Sequence, residues 1–328
     1  VQQKPFETMN WLQKLSTAQS IGLIACSSLV VFASFNGQSH LFDWDEINFA
    51  EAAREMITTG NYSVVQINYE PFWEKPPLFF WMQVLAMKLF GINEFAARFP
   101  NAIAGVFTSI FLFLIGKKHF GQQFGWLWAM AHGTSLLPLL YFKSGIIDPW
   151  FNLFIFGGMY FTWRTLFEGK NLKWALFAGA SIGLGIMTKG PVALLVLLMV
   201  YGVYFLWVRF KGFPKMKELG LFLLSLLSIG GLWFFIEWIN GRGYIIQDFI
   251  NYQIRLLESQ DAGHGGPFYY HFVVLLFGCF PMSVLAFGGF KNSEKESKLV
   301  DFHRIQLLLF LCVLILFSLV NTKIIHYS

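Results

Sequence analysis

The chain has 328 residues, 55% of them hydrophobic and 13% charged, about half the charge of a soluble domain. So little polar surface excludes a soluble enzyme and a disordered segment. The net charge of +5 comes without the Lys/Arg stripe and interleaved aromatics of a nucleic-acid surface, so no nucleic-acid partner is expected.

Nine stretches approach the roughly 20 apolar residues that a helix needs to cross a bilayer: residues 20–38, 98–116, 122–142, 147–163, 173–188, 191–208, 219–238, 269–289 and 305–321. They predict an all-α polytopic membrane protein with about nine transmembrane helices, organised as one unit over residues 1–328. The first stretch lacks a small-residue cleavage site and runs into an aromatic, charged segment, so it reads as a span and not as a signal peptide. Between the first and second stretches lies a long loop, 39–97, predicted to carry two short amphipathic helices. One covers 46–58; the other begins after Pro77 and runs to Phe90. Gly179 and Gly183 have the spacing that lets two helices approach closely. A second long loop covers 239–268. Cys26, Cys279 and Cys312 lie in apolar runs, with neither metal spacing nor a disulfide framework. The sequence starts without Met and stops just after the ninth stretch, so it reads as a fragment lacking a C-terminal region.

Alternating the spans places 15 of the 24 Lys and Arg and 6 of the 19 Asp and Glu on the side of the N-terminus, leaving 9 and 13 on the other. By the positive-inside rule the first side, about +9 against −4, is the cytoplasm. The other side carries the unusual residues: Asp43, Asp45, Glu46, Arg54, Glu74-Lys75-Pro76-Pro77, Lys143, Asp148-Pro149, Thr188-Lys189-Gly190-Pro191, Arg255, His264 and Lys323. Each has a bland reading. The acidic residues suit helix starts, the lysines can snorkel, Glu74 and Lys75 can pair in solvent, and His264 can be an ordinary loop histidine. Together, on one face and framed by Pro, Gly and aromatics, they suit a phosphate-bearing substrate. Basic side chains hold phosphate oxygens, and a carboxylate serves as general base towards a hydroxyl.

These residues resemble a known family. Asp45-Glu46, Ala50-Glu51 and Arg54-Glu55-Met56, then Phe72-x-Glu74-Lys75-Pro76-Pro77 and Trp81, are similar to the lipid-linked sugar transferases of the GT-C superfamily, with Asp148-Pro149, Thr188-Lys189-Gly190-Pro191, His264-x-x-Pro267-Phe268-Tyr269-Tyr270 and Lys323 with Tyr327 following in order. The similarity is to bacterial aminoarabinose (lipid A) transferases and to dolichyl-phosphate-mannose–protein mannosyltransferases. It implies an inverting glycosyltransferase in the plasma (bacterial inner) membrane, working on the extracytoplasmic side. It also implies a polyprenyl-phosphate sugar donor, a lipid, glycan or protein acceptor, and membrane lipids as surroundings. Position by position, Asp45 takes the place of the general base and Asp148 that of a second catalytic carboxylate. Arg54, Lys75, Lys189, Arg255, Lys323 and Tyr327 fall near the donor phosphate. Glu74 and His264 match residues that can meet at a divalent metal such as zinc, although two protein ligands make an incomplete zinc site. No nucleotide cofactor is expected, since the sugar–phosphate bond is already activated and no Walker-type loop occurs. The end motif departs from the family in having Asn321 where a small hydroxyl residue is common. The rival reading is a polytopic transporter or lipid flippase, which would place its charges near the membrane midplane in two repeated halves.

Overall fold

The computed structural model describes residues 10–42, 44–72, 74–169, 171–258, 266–289, 299–320 and 323. Helix α1 (Asn10–Lys14) leads to α2 (Thr17–Ala33), whose start is closed by a capping box between Ser16 and Gln19. The first loop then forms the two expected helices and, between them, a ribbon that the all-α reading did not include. It contains α3 (Trp44–Thr59), a two-stranded antiparallel ribbon of β1 (Gln66–Ile67) and β2 (Glu70–Pro71), and α4 (Leu78–Phe90). Next come α5 (Glu94–Phe120), α6 (Gln122–Thr134), α7 (Leu136–Phe142), α8 (Asp148–Phe167), α9 (Lys173–Lys189) and α10 (Val192–Trp207). The remainder is α11 (Met216–Gly230), α12 (Leu232–Ile239), α13 (Gly243–Glu258), α14 (Tyr270–Gly278), α15 (Met282–Gly289) and α16 (Val300–Leu319).

Each of the nine expected stretches contains helix. Among the described residues, however, only Glu94–Phe120 and Val300–Leu319 are single helices long and apolar enough to cross a membrane, with a third if the pair Met216–Gly230 and Leu232–Ile239, bent by 52°, counts as one span. The physical reasons are local. Stretch 122–142 breaks at Ser135, and 269–289 breaks around Pro281. Helices α2, α9 and α10 are 16 or 17 residues long, a turn short of a full crossing. Large apolar side chains such as Leu198, Leu206, Leu224, Leu227 and Phe277 stay exposed on the outside of the helices. A soluble surface does not carry so many large exposed apolar side chains, whereas lipid covers them readily. The chain is a multi-pass membrane protein.

Helix α9 packs between α8 and α11, α5 between α2 and α6, and α16 against α10. Gly179 and Gly183 do what their spacing predicts. A Cβ on Gly179 would lie 2.1 Å from the Phe222 carbonyl oxygen, and one on Gly183 would lie 2.9 Å from the Gly230 nitrogen, so α9 and α11 approach backbone to backbone. One core joins α3 and α4 to the bundle through Phe49, Met56, Phe79, Phe80, Val84 and Ile147. A second lies among α8, α9, α10 and α16. A third, Val64, Met187, Trp233 and Ile245, ties the first loop to α9, α12 and α13.

Candidate active site

Helices α8 and α9 run antiparallel, so the first residue of one meets the last of the other. Asp148 opens α8 with Pro149 behind it, and Lys189 closes α9. Each charge sits where the helix dipole favours it. Their side chains, both buried, pair at 2.5 Å between Nζ and Oδ1. Gly190 explains itself here. Its φ is +89°, and a Cβ would lie 2.7 Å from the Phe249 ring, so only glycine lets the chain leave α9 while α13 lies across it.

Two further charges converge on this pair. Besides its direct bond to Asp148, the Lys189 ammonium lies within electrostatic reach of Lys75 and Asp45. Asp45 is half-buried in the first turn of α3. Lys75 is buried beside Glu74, at 3.6 Å. Helix α13 contributes Tyr252, whose hydroxyl donates to Glu74 Oε2 at 2.8 Å. Its ring lies 5.1 Å from both Lys75 Nζ and the Arg255 guanidinium. Glu74, Asp248, Tyr252 and Arg255 line an open cleft of about 350 Å³. The four residues Asp45, Lys75, Asp148 and Lys189, expected as site members, thus lie together, with Glu74 and Arg255 beside them.

Other expected members are placed differently. Arg54 forms a two-point bond with Glu51 at 2.8 and 2.5 Å. That bond holds Glu51 below the ordinary carboxylate range and, with Tyr69, raises the guanidinium. Among the described contacts none joins Arg54 to Lys75 or Lys189. Lys323 is buried and donates to the carbonyls of Phe317, Ser318 and Val320 at 3.2, 2.7 and 2.5 Å, capping α16. Burial lowers its ammonium, and its charge reaches His271. Lys143, also lowered by burial, donates to the Ser34 carbonyl at 2.6 Å and does not snorkel. His264 and Tyr327 lie outside the described residues.

The metal expectation rests on Glu74 and His264. Among the described residues no three metal-ligating side chains cluster, and Glu74 is taken by Tyr252 and Lys75. His264, the other expected ligand, lies outside the described residues.

A cavity of about 280 Å³ runs from Asp148 and Lys189 between α8, α10, α14 and α16, walled by Ile155, Val196, Leu275, Leu309, Val313 and Phe317. It is an apolar trough with a charged head. Asn152, one turn after Asp148, lines this cavity and a neighbouring one of about 340 Å³. His271 also faces the trough. Sequence reasoning passed over Asn152, Tyr252 and His271. Asn152 carries a usable signal, a lone amide one turn from a buried carboxylate. Tyr252 carries none, since one tyrosine on an amphipathic helix looks like any interfacial anchor.

Comparison with known proteins bears on the fold and on what the chain is similar to. Residues 74–235 match the family model described as dolichyl-phosphate-mannose-protein mannosyltransferase. An uncharacterized protein of Aquifex aeolicus is 29% identical over 93% of this chain and 68% of its own length. The undecaprenyl phosphate-alpha-4-amino-4-deoxy-L-arabinose arabinosyl transferase of Erwinia tasmaniensis is 28% identical over 78% of this chain and 47% of its own length. The crystal structure of ArnT from Cupriavidus metallidurans bound to undecaprenyl phosphate superposes with a TM-score of 0.84 at 21% identity, covering 98% of this chain and 57% of that one. The chain therefore has the ArnT fold, and it spans about half to two thirds of the length of the proteins it matches. Along most of its length the chain is thus similar to the lipid-linked sugar transferases of the GT-C superfamily.

Proposed function

We propose that this protein is a glycosyltransferase that moves a sugar from a polyprenyl-phosphate donor to a lipid, glycan or protein acceptor. It works at the extracytoplasmic face of the plasma (bacterial inner) membrane. The observation that carries the reading is the trough. Its apolar walls suit an isoprenoid tail, and it ends at Lys189 with Lys75 nearby, where a phosphate would sit. The relatives named for undecaprenyl phosphate add weight. The nine stretches would together make the crossings, several as broken helices, with the N-terminus in the cytoplasm.

In the reaction, the acceptor oxygen attacks the anomeric carbon from the face opposite the phosphate. The new carbon–oxygen bond forms as the sugar–phosphate bond breaks, and its electron pair leaves on the phosphate oxygen. Asp45 takes the acceptor's proton, a contribution of typically about 10²–10⁴-fold. Lys75 and Lys189, with Arg255 at the cleft, offset the charge growing on the leaving phosphate. Asp148 holds the Lys189 ammonium in place. No step is assigned to a metal. A transporter tends to be built from two repeated halves, and the sequence shows no such internal repeat.

The test is to offer the protein, purified in nanodiscs, a panel of polyprenyl-phosphate sugars and to measure free polyprenyl phosphate. Release that disappears in Asp45→Asn supports the reading. Donor binding without release from any donor or acceptor would count against transfer, and absence of both would favour a transporter.

A further inference from the structure

A buried ion pair stands beside the site and takes no part in the chemistry above. Glu46 follows Asp45 on α3 and is completely buried; Arg98 on α5 is 2% exposed. The guanidinium donates from Nε to Glu46 Oε1 at 2.7 Å and from Nη2 to Oε2 at 2.9 Å. It also donates to the carbonyls of Asn36, Ser39 and His40 at 2.7, 2.7 and 2.9 Å. The carboxylate in turn accepts from the Phe42 N–H at 3.1 Å and the Gly145 N–H at 2.7 Å. One turn along α5, Asn101 donates to the carbonyls of Ser144 and Ile146 at 2.5 and 2.6 Å.

The backbone groups engaged belong to two segments. Residues 36–42 lead into α3 and Asp45. Residues 144–146 lead into α8 and Asp148. Each segment has no regular structure of its own, so its carbonyls and N–H groups need partners. Helix α5 supplies the donors to the carbonyls through Arg98 and Asn101, and Glu46 on α3 accepts from the N–H groups. A buried ion pair is weak evidence for stability, because desolvating two charges offsets their attraction. This one instead fixes geometry: a planar guanidinium and a carboxylate, saturated by backbone groups, tolerate little displacement.

We infer that Glu46, Arg98 and Asn101 are positioning residues that set the placement of Asp45 relative to the Asp148–Lys189 pair, and so of the base relative to the donor phosphate. The inference rests on the sugar-transfer reading above. Reacting groups misplaced by about 1 Å lose rate by on the order of 10²-fold even when binding is intact. The cluster therefore acts on the chemical step more than on donor affinity.

The experiment compares wild type, Asp45→Asn, Glu46→Gln and Asn101→Ser in nanodiscs. Donor binding counts the competent molecules, and turnover is expressed per donor-bound molecule at saturating donor. Glu46→Gln keeps an acceptor for the Gly145 N–H and loses the charge; Asn101→Ser releases only the segment before α8. The expected result is a fall of at least about 10-fold, towards 10²-fold, in turnover per bound donor for both variants, with donor affinity nearly unchanged. A structural role alone would lower the number of competent molecules and leave each one at the wild-type rate, and that outcome in both variants overturns the inference. If Glu46→Gln binds no donor, Asn101→Ser decides. Wild-type release that is lost in Asp45→Asn, alongside normal turnover per bound donor in the positioning variants, overturns this inference alone. No release from wild type overturns the sugar-transfer reading and this inference with it.

Discussion

At one end of α5, α8 and α9, Lys118 and Arg164 close on Glu168, and the Arg164 guanidinium lies 3.4 Å over the Trp174 ring. At the other end, about 30 Å away along the length of α8, Glu46 meets Arg98 and Asp148 meets Lys189. The pairs are of the same chemical kind and the same short length, but their exposure differs. Lys118 and Glu168 are 40% and 23% exposed, whereas Glu46 and Arg98 are 0% and 2%. A wet pair is screened and worth about 0–1 kcal/mol. A dry pair must overcome several kcal/mol of desolvation per ion, so its presence calls for a reason besides stability. The end with the dry pairs is the end with the trough, the cleft and the converging carboxylates and lysines. The comparison teaches that burial, and not the number of ion pairs, distinguishes the end of the bundle that holds the trough and the cleft from the opposite end.

The contrast can be sharpened by substitution. The largest effect is expected from Asp45→Asn, which should lower turnover by about 10²–10⁴-fold while donor binding persists; near-normal polyprenyl phosphate release would remove Asp45 from the base role. Arg98→Ala leaves Glu46 buried without its partner and should cost about 3–5 kcal/mol of stability, read as a lower unfolding midpoint that salt hardly changes. Lys75→Ala should weaken donor binding by about 1.5–3 kcal/mol, the worth of a hydrogen bond to a charged group, with a smaller change in turnover at saturating donor. Titration of donor against both proteins separates the two.

The smallest effect belongs to the wet end. Glu168→Gln should cost no more than about 1 kcal/mol, and less in high salt. The same pair gives a pH test. Burial raises the Glu168 carboxyl, but hydrogen bonds from Lys118 and Arg164 outweigh it, so the folded value lies below the ordinary 4.5. The stability it supplies is then complete above pH 4.5 and is lost as pH falls through the folded value. A wild-type unfolding midpoint that drops in acid more than that of Glu168→Gln would agree. Equal acid profiles would make the pair electrostatically silent.

Much of the fold was legible because its signals are local. Apolar runs, the Asp148-Pro149 helix start, the small-residue spacing on α9 and the two first-loop helices each depend on a few adjacent residues. Continuity of the spans was less legible. Ser135, Gly231 and Pro281 interrupt runs whose hydropathy alone reads as unbroken, since hydropathy measures transfer into lipid and not helix direction. Within the candidate site, Asp45, Lys75, Asp148 and Lys189 were singled out by type and context, while their convergence required the antiparallel packing of α8 on α9 and the packing of the first loop against the bundle.

The sequence by itself determined that this is a helical, multi-pass membrane chain, because hydrophobicity, charge and helix-start chemistry are properties of residues in order. The tertiary structure alone decided which charges are shared. It gave Arg98 to Glu46 and Lys189 to Asp148, and it set Tyr252 between Glu74, Lys75 and Arg255. Those partners lie up to 178 positions apart in the chain. A side chain's role in a charged site is fixed by what lies within a few ångströms of it, and that distance has no counterpart in sequence separation.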